Sequence, residues 1–490
     1  MSAFLDIDEI LISVSPGETR AALLAGGRLV ELIVARESHR SLLGNVYLGR
    51  LSKPAPGANA AFVELGEARA GFLSREDAKG LCDARGALLA RAPSEGEAVL
   101  VQLTQDAFGR KGPRVTGTIA LAGHWLVLTP TRHGIAVSRK IADVEARRKL
   151  EGLLAPELAA GEGLVVRTAA ATADGAALAG ELVRLRECWR KLLALAAGAL
   201  APALLHTEGD VIEQVLRDHG GPALKRVLCD RREAATRAAE ILARQGSGRR
   251  LEVALHQGPS ALFAEYQIDE QIAAALEPVA PLPSGGSLAI GTLEALSAID
   301  VNTARQTGSA SAGDARLAVN LEAAGEVARQ VRLRNLAGLI VVDFVHMDGA
   351  AERARVADAL ANAFAGDPAG VQLAGFTSLG LFELTRRRLR EPLSEALAER
   401  CAVCGGEGRH LSAATVAYEV LRAVERTALV RPAGRIRVVA AAAVIAALEG
   451  EAKAARQRLE GQLAGPLVLS AGPGYRHEQY DIVTGAAASA

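Results

Sequence analysis

The stretch SAIDVNTARQTG, residues 297–308, decides both the predicted fold and the predicted site of this chain. Successive side chains of an extended strand point to opposite faces. Ile299 and Val301 therefore share one face, and Asp300 and Asn302 share the other. The sequence predicts a strand with one apolar side and one side that carries a carboxylate beside an amide.

A second acidic residue follows at the end of another predicted strand. Apolar positions over residues 315–335 recur at helical spacing, and the continuous apolar run LIVVDF (339–344) predicts a strand buried on both faces. A strand–helix–strand unit crosses over right-handed, which places its two strands parallel and close together in one sheet. Asp300 and Asp343 would then both lie at the carboxyl ends of parallel strands, where α/β sheets bind their ligands.

The two acids suggest a metal site. Carboxylates held a few ångströms apart repel each other, so they either share a proton or bind a cation. Oxygen ligands with an asparagine nearby suit a hard ion such as Mg²⁺ or Mn²⁺, which can polarise a phosphoryl oxygen and activate water. The alternative is that Asp300 and Asp343 are strand-end caps or partners of nearby arginines, and spacing alone leaves both readings open.

Length and charge set limits on domains and partners. A chain of 490 residues has room for roughly two to four domains and a large core. Lys plus Arg and Asp plus Glu balance at 56 each, so overall charge predicts no polyanionic partner and any nucleic-acid surface must be a local patch. Basic runs such as residues 385–390 either form such a patch or are solvated helix faces.

Cysteine usage and hydropathy indicate the compartment. Five cysteines are an odd number and do not form a disulfide framework, which predicts a reducing environment. The N-terminal residues include early acids and no long apolar core, unlike a signal peptide. The longest uncharged apolar run has 14 residues (192–205), contains a proline, and is too short to span a bilayer. A soluble, cytoplasmic protein without a membrane span is therefore predicted.

Short strands separated by Gly and Pro follow Gly44 over ~75 residues and predict a small closed barrel such as an OB-fold. A helical insert is predicted at 76–92. Aromatic residues make up only 3% of the chain, and Tyr47, Phe62 and Phe72 fall in or beside these strands. They either stack on nucleic-acid bases or form the core of the barrel.

Further along the chain, local patterns predict helices over 172–200 and 350–364, a strand near 371, and a basic helix over 379–398. A last α/β module is predicted at 413–490.

The motif CAVC places Cys401 and Cys404 at the spacing of zinc ligands. One such pair is half of a tetrahedral site, and a reduced pair without metal is the alternative.

Several stretches together resemble the ribonuclease E/G family, in the same order and spacing and over essentially the whole chain. They are NAAFVELGEARAGFL (59–73), VRTAA (166–170), LPSGG (282–286), AIDVNTA (298–304), NLEAAGEVARQVRLRNLAGLIVVDF (320–344), GLFELTRRRLR (380–390) and CAVCGGEG (401–408). The set as a whole is far more specific than any one of its motifs.

The resemblance implies a multidomain α/β (α+β) fold. Its parts would be an RNase H-like subdomain at 1–38 and 206–278, an inserted OB-fold RNA-binding barrel at 39–121, a 5′-phosphate sensor at 122–205, a DNase I-like catalytic subdomain at 279–397, a zinc-link at 398–412 and a small C-terminal α/β domain at 413–490.

The same resemblance implies an endoribonuclease of RNA processing or decay that cuts single-stranded RNA and favours 5′-monophosphorylated substrates. Asp300 and Asp343 would hold one Mg²⁺, and Asn302 would position the scissile phosphate or the water. The basic helix at 386–390 would place the RNA strand through phosphate contacts.

Other residues would bind the RNA away from the scissile bond. The barrel would do so through Phe62, Phe72 and Lys111, which favours stacking over a core role for the two rings. The sensor would hold the 5′ phosphate through Val127, Arg139, Arg167 and Thr168.

The resemblance also implies a partner chain. Cys401 and Cys404 would share one Zn²⁺ with the same pair of a second copy, which makes a homodimer and leaves its pairing into tetramers open.

The sequence departs from the family pattern at several positions, including three single residues and the segment 317–319, which lacks the polar and aromatic residues typical there. His346 stands where the family has an acid that orients the attacking water, although a neutral histidine can act as a base near pH 7. Gly370 replaces an expected basic residue, and Ala402 replaces a proline. These departures motivate the alternative of a catalytically weakened RNA-binding member. A nucleotide-dependent enzyme is disfavoured because the chain has no G-x-x-x-x-G-K-[ST] loop.

Overall fold

The structure is a computed structural model of the chain. It describes residues 6–38, 41–52, 60–89, 94–107, 111–138, 140–141, 143–245, 251–293, 295–303, 312–399, 401, 404, 406, 408, 410–430 and 434–485. The chain divides into two compact units, residues 1–396 and 397–490.

An antiparallel meander opens the first unit. Its strands are β1 (Glu9–Ser15), β2 (Glu18–Ala25) and β3 (Arg28–Arg36). Gly26 and Gly27 both have positive φ angles, of 57° and 77°, in the two-residue turn between β2 and β3. Glycine adopts that conformation at little cost, which is why the turn can be so short.

A closed barrel follows the meander. Its strands are β4 (Val46–Leu51), β5 (Ala60–Glu64), β6 (Gly71–Ser74), β7 (Ala98–Gln105) and β8 (Arg114–Thr116). β4 pairs with both β5 and β7, and β8 bridges β6 and β7, so the ring closes. The predicted small closed barrel is therefore confirmed, and its ring consists of these five strands. The helix predicted at 76–92 is wrong in its described part, which contains a short 3₁₀ turn at Asp77–Gly80 and a bridge between Cys82 and Leu88.

A small mixed sheet and a long helix come next. The elements are β9 (Leu121–Ala122), β10 (Leu126–Thr129), β11 (Gly134–Val137), α1 (Val144–Leu154), β12 (Gly163–Val166), α2 (Gly175–Gly198) and β13 (Ala203–His206). The sheet order is β11-β12-β10-β9, and β13 pairs back onto β4 of the barrel. The helix predicted over 172–200 is confirmed.

The next elements return to the opening meander. They are α3 (Val211–His219), β14 (Arg226–Cys229), α4 (Arg232–Gln245), β15 (Glu252–Leu255), α5 (Leu262–Glu265) and α6 (Ile268–Leu276). β14 runs parallel to β1, so the sheet order becomes β15-β14-β1-β2-β3. One sheet thus unites strands from the start of the chain with strands more than 200 residues later, and the barrel and small sheet are inserted between them.

A second large sheet completes the first unit. Its elements are β16 (Val279–Pro281), β17 (Ser287–Thr292), β18 (Leu296–Asn302), α7 (Ala312–Leu333), β19 (Gly338–Asp343), α8 (Ala350–Phe364), β20 (Val371–Phe376), β21 (Leu381–Arg386) and α9 (Leu393–Leu397). The sheet order is β16-β17-β18-β19-β21-β20. β18 and β19 are parallel neighbours, as the strand–helix–strand pattern predicted.

Only one face of this second sheet is buried. Ile340 and Val342 of β19 are fully buried, while Leu339 is 40% exposed. α7 and α8 share a core with β18, β19 and β21 on that single face. The prediction that β19 is buried on both faces is therefore wrong, because a continuous apolar run does not show which face of a sheet the helices cover.

The basic helix predicted over 379–398 is also wrong. Residues 381–386 form β21, the central partner of β19 and β20, and only Leu393–Leu397 is helical. Arg386 is buried and its Nε lies 2.9 Å from Asp367 Oδ2. Arg390 contacts Glu31 at 3.1 Å. Two arginines of the predicted RNA-binding helix thus pair with carboxylates of the protein, and residues 386–390 do not form a helix.

The second unit contains a small α/β fold. Its elements are α10 (Ala413–Val430), β22 (Arg435–Ala440), α11 (Ala442–Glu449), α12 (Lys453–Glu460), β23 (Leu467–Ala471) and β24 (Tyr480–Gly485). The three strands are ordered β23-β22-β24, and Val420, Val438 and Leu448 lie in its core. Among the described helices of the chain, none is long and apolar enough to cross a membrane.

Candidate active site

The two predicted acids meet at one edge of the second sheet. Asp300 lies two residues before the end of β18 and Asp343 is the last residue of β19, and the register pairs them directly opposite each other. Adjacent strands lie only ~4.8 Å apart, so side chains at paired positions on one face are neighbours. Both aspartates are exposed. The prediction that they lie together at the carboxyl ends of parallel strands is confirmed.

Alternation along β18 gives this site its orientation. Ile299 and Val301 are buried against α7, at 1% and 5% exposure, and this turns Asp300 and Asn302 to the open face. The Asn302 Nδ2 donates a hydrogen bond of 2.9 Å to Asp300 Oδ2. The amide thus fixes one carboxylate oxygen and leaves the rest of the acid pair accessible.

The loop after β19 carries His346. Phe344 and Met347 are each only 6% exposed, and they anchor the loop on either side of the histidine. Val345 is held by the buried Asn320 of α7 through two hydrogen bonds, of 2.8 Å to its carbonyl and 3.0 Å from its amide. His346 itself is exposed. An ordered backbone therefore presents this side chain to solvent.

Two charged residues that the sequence did not single out extend the site. His346 Nε2 lies 3.0 Å from Asp348 Oδ1, and Arg316 Nη2 donates to Asp348 Oδ2 at 2.9 Å. Asp348 is only two residues from His346, so its contact was accessible to sequence reasoning. Arg316 lies 32 residues away on α7, and no local sequence signal indicates its contact.

The acid pair suits a hard cation. Its ligands are all oxygens, and Mg²⁺ commonly takes one or two carboxylates and completes its shell with waters and substrate phosphate. In the described part of the chain no three or more His, Cys, Asp and Glu side chains gather into a metal-binding group. The residues present therefore fit a cation that keeps most of its shell for substrate and water, and not one that needs an all-protein cage.

Comparison with known sequences decides the family. The sequence model of the Ribonuclease E/G family matches residues 120–389, more than half of the chain. The chain is 33% identical to ribonuclease G of Salmonella typhimurium (strain SL1344) over 484 residues, which cover 97% of this chain and 99% of that one. This chain belongs to the ribonuclease E/G family.

Two further relatives agree. Ribonuclease G of Escherichia coli (strain K12) is 32% identical over 97% of this chain and 99% of its own length. Ribonuclease E of Nostoc sp. (strain PCC 7120) is 37% identical over 79% of this chain and 57% of its own length. The family predicted from the sequence motifs is confirmed.

In this ribonuclease E/G chain the aromatic residues of the barrel differ in their exposure to solvent. Tyr47 is fully buried in the barrel core, so the core reading holds for that ring. Phe62 is 40% exposed, and it lies opposite Phe72 on the neighbouring strand with ring centroids 5.9 Å apart in an edge-to-face arrangement. Lys111 is exposed, and its carbonyl accepts a 3.3 Å hydrogen bond from Arg69.

The residues expected to sense a 5′ phosphate lie around the small mixed sheet. Arg167 follows β12, and its Nη1 donates to the Gly123 carbonyl at 2.7 Å. Thr168 Oγ1 lies 2.8 Å from Ser138 Oγ on the segment after β11. Val127 lies in β10 and pairs with Val165 of β12. Arg139 lies outside the described residues.

A buried carboxylate shapes the same region. Glu181 of α2 is 5% exposed and accepts hydrogen bonds of 2.8 Å from three consecutive backbone amides, those of His124, Trp125 and Leu126. A Cβ added at Gly123 would lie 2.6 Å from the Glu181 carboxyl carbon. Glu181 thus fixes the loop whose Gly123 carbonyl accepts the hydrogen bond from Arg167. A side chain at Gly123 would collide with the Glu181 carboxylate, so glycine is required there.

The CAVC motif of this family member lies near the start of the second unit, which begins at Leu397. Cys401 is exposed and Cys404 is half-buried, and neither forms a disulfide in the described chain. The departure Ala402 lies outside the described residues.

Proposed function

We propose that this chain is a Mg²⁺-dependent endoribonuclease that cuts single-stranded RNA and favours 5′-monophosphorylated substrates. Membership of the ribonuclease E/G family makes the chain an endoribonuclease, a hydrolase, as the sequence predicted. The observation that carries the proposal is the pairing of Asp300 with Asp343 on adjacent parallel strands, with Asn302 bonded to the first acid.

Asp300 and Asp343 would hold the ion, and oxygens of the RNA backbone and water would complete its shell. The ion would supply charge that stabilises the phosphoryl oxygens of the substrate. Asn302 keeps Asp300 in one orientation, and its amide is close enough to the acid pair to orient the scissile phosphate or the water. His346 faces solvent beyond the end of β19 and serves as the proton acceptor for that water.

Substrate choice comes from the barrel. Phe62 presents an exposed ring on a rigid strand, with Phe72 supporting it from the next strand. Stacking on such a ring requires an unpaired base, so single-stranded RNA is favoured over a duplex. Lys111 adds an exposed cation three residues before Arg114, the β8 residue that pairs with Phe72 of β6.

The 5′-phosphate preference rests on Arg167 and Thr168, with Val127 and Arg139 as supporting residues. A guanidinium fork and a hydroxyl from adjacent residues make a good phosphate-binding pair. Both side chains already have fixed partners, Gly123 and Ser138. Little side-chain entropy remains to be lost when a phosphate binds.

The test is cleavage of an unpaired RNA oligonucleotide with a 5′ monophosphate or a 5′ hydroxyl, with and without Mg²⁺. We expect internal cuts only with the ion, products with 5′-phosphate and 3′-hydroxyl ends, and faster cutting of the monophosphorylated form. Equal cutting in EDTA would refute the metal proposal, and equal rates on both substrates would refute the preference alone.

A catalytically weakened RNA-binding member is the second candidate. It is favoured by His346 and by Gly370, whose φ of +72° disfavours any side chain at that position. Under this reading RNA binds normally, yet His346→Asp raises the cleavage rate at least ~10-fold. An unchanged or lower rate in that variant removes this candidate.

We also propose that Cys401 and Cys404 bind Zn²⁺ jointly with a second copy. Two thiolates fill half of a tetrahedral shell, and the described residues of this chain offer no third ligand beside them. Cys401→Ser should therefore lower bound zinc and shift sedimentation toward the monomer, while Cys188→Ser should change neither. An unchanged zinc content and sedimentation profile in Cys401→Ser would refute the proposal.

A further inference from the structure

Three side chains, one from α7 and two from the loop that follows β19, form a connected line. Arg316 Nη2 donates to one oxygen of Asp348, and His346 Nε2 lies 3.0 Å from the other. An ionised carboxylate only accepts hydrogen bonds, so Nε2 of the imidazole carries the proton in this contact. In the neutral ring the second nitrogen, Nδ1, is then the unprotonated one.

Helix α7 fixes both flanks of His346. Arg316 and Asn320 lie four residues apart on α7 and therefore share one face of the helix. Asn320 binds the backbone of Val345 on one side of the histidine, and Arg316 binds Asp348 on the other. The ring is thus presented by a helix that also packs against β18, the strand of Asp300.

We propose that Asp348, held by Arg316, is a positioning residue that fixes the tautomer of His346 so that Nδ1 acts as the general base. This inference rests on the proposed endoribonuclease function. Nδ1 takes one proton from a water as that water's oxygen forms a bond to phosphorus. The bond from phosphorus to the 3′ oxygen breaks, and the leaving oxygen takes a proton from solvent water. The imidazolium then returns its proton to solvent, and Asp348 stays ionised throughout.

Exposure argues against a purely structural role. The side chains of Arg316, His346 and Asp348 are 36%, 75% and 71% exposed. Ion pairs this exposed contribute little to the stability of a protein. A contact that barely stabilises the fold and yet orients an imidazole at a proposed active site is expected to affect turnover and not unfolding.

The test measures kcat and KM on an unpaired oligonucleotide at saturating Mg²⁺. His346→Gln should lower kcat ~100-fold, as expected for the loss of a general base. Asp348→Asn should lower kcat at least ~10-fold, because the new amide can donate a hydrogen bond to Nε2 of His346 and select the wrong tautomer. Arg316→Gln should have a smaller effect in the same direction. KM and the melting temperature should stay near wild type, and Asp358→Asn, an exposed acid on α8, serves as the matched control.

Two readouts separate positioning from a structural role. Asp348→Asn added to His346→Gln should lower kcat no further, because Asp348 acts only through the histidine. In ¹⁵N-histidine spectra of the full chain, the signal lost in His346→Gln should report the Nε2–H form in wild type and a tautomer mixture in Asp348→Asn.

Each negative outcome has its own meaning. An unchanged kcat in Asp348→Asn overturns the positioning role. So does a drop in kcat that is equal whether Asp348→Asn is made in wild type or in His346→Gln. In both cases the endoribonuclease proposal stands. Full activity of Asp300→Asn overturns the proposed site itself.

Discussion

The guanidinium of Arg167 is already paired with a carboxylate, since its Nη2 lies 2.8 Å from Asp218 Oδ1 on α3. Burial raises the pKa of Asp218, but the adjacent Arg217 and Arg167 outweigh burial and hold that pKa far below its usual range. Asp218 is therefore ionised at every pH at which the enzyme would work. An RNA 5′ phosphate would meet a guanidinium whose orientation is fixed before binding.

Arg167→Ala should remove the preference for a 5′ phosphate. A charge-assisted bond to phosphate contributes ~1.5–3 kcal/mol, so the ratio of cleavage rates on 5′-monophosphate and 5′-hydroxyl RNA should fall ~10- to 100-fold. The rate on 5′-hydroxyl RNA should not change. Arg190→Ala, an exposed arginine on α2, is the control and should keep the wild-type ratio. A normal ratio in Arg167→Ala would show that the phosphate binds elsewhere.

Phe62→Ala should weaken RNA binding without harming the barrel. Stacking of one base on an aromatic ring is worth ~1–3 kcal/mol, so Kd for an unpaired oligonucleotide in EDTA should rise ~5- to 150-fold. Leu88→Ala removes a more exposed apolar side chain near the same barrel, 55% against 40% exposed, and should leave Kd unchanged. If the two variants bind equally well, the ring is not an RNA contact.

The buried pair of Arg386 with Asp367 should matter for stability and not for RNA binding. Removing one partner leaves an uncompensated buried charge, which costs ~3–5 kcal/mol, so Arg386→Met should lower the urea midpoint markedly. Its exposed neighbour provides the control, and Arg387→Met should change stability by less than ~0.5 kcal/mol. The salt dependence of RNA binding should be the same in Arg386→Met and wild type. If Arg386→Met instead reduced the salt dependence of RNA binding and kept normal stability, Arg386 would be a phosphate contact.

Acid should destabilise the first unit in two steps. Burial lowers the pKa of His219 to about 4 from its ordinary value of 6.5. The unfolded chain therefore takes up this proton first, and stability is lost as the pH falls from 6.5 to about 4. Burial raises the pKa of Glu31, but Arg332, His219 and Arg390 lower it further, to about 2. Its contribution is present above pH 4.5 and is lost as the pH falls toward 2.

His219→Gln should flatten the upper of these two steps. The drop in unfolding free energy between pH 7 and pH 4 should shrink by about 1–2 kcal/mol, because the half-buried His219 no longer has to stay neutral. His133→Gln, which changes an exposed histidine, should keep the wild-type slope. Denaturant midpoints measured across this pH range test the prediction. If stability depends on pH equally in His219→Gln and His133→Gln, His219 does not cause the upper step.

Much of the site could be predicted because its determinants are local. The alternation of Ile299, Asp300 and Val301 fixes which side chains face the helix, and the strand–helix–strand order fixes parallel pairing with the strand of Asp343. Both follow from residues adjacent in sequence, and both are observed.

The failures have non-local causes. β21 alternates Phe382, Leu384 and Arg386 on its buried face, but an arginine there reads as a solvated helix residue unless its partner Asp367 is known. The contact of Asp348 with Arg316 likewise depends on how α7 lies against the loop. Sequence patterns within one segment carry no information about such partners.

The central claim is that Asp300 and Asp343 act together around one Mg²⁺, and cleavage by their asparagine variants tests it most directly. Asp300→Asn and Asp343→Asn should each slow cutting of an unpaired RNA at least ~100-fold, equivalent to ~2.7 kcal/mol of activation barrier. Because both side chains are exposed, the melting temperature and the Kd for RNA in EDTA should match wild type and Asp358→Asn. If either variant cuts RNA as fast as wild type while folding normally, the acid pair is not the catalytic centre.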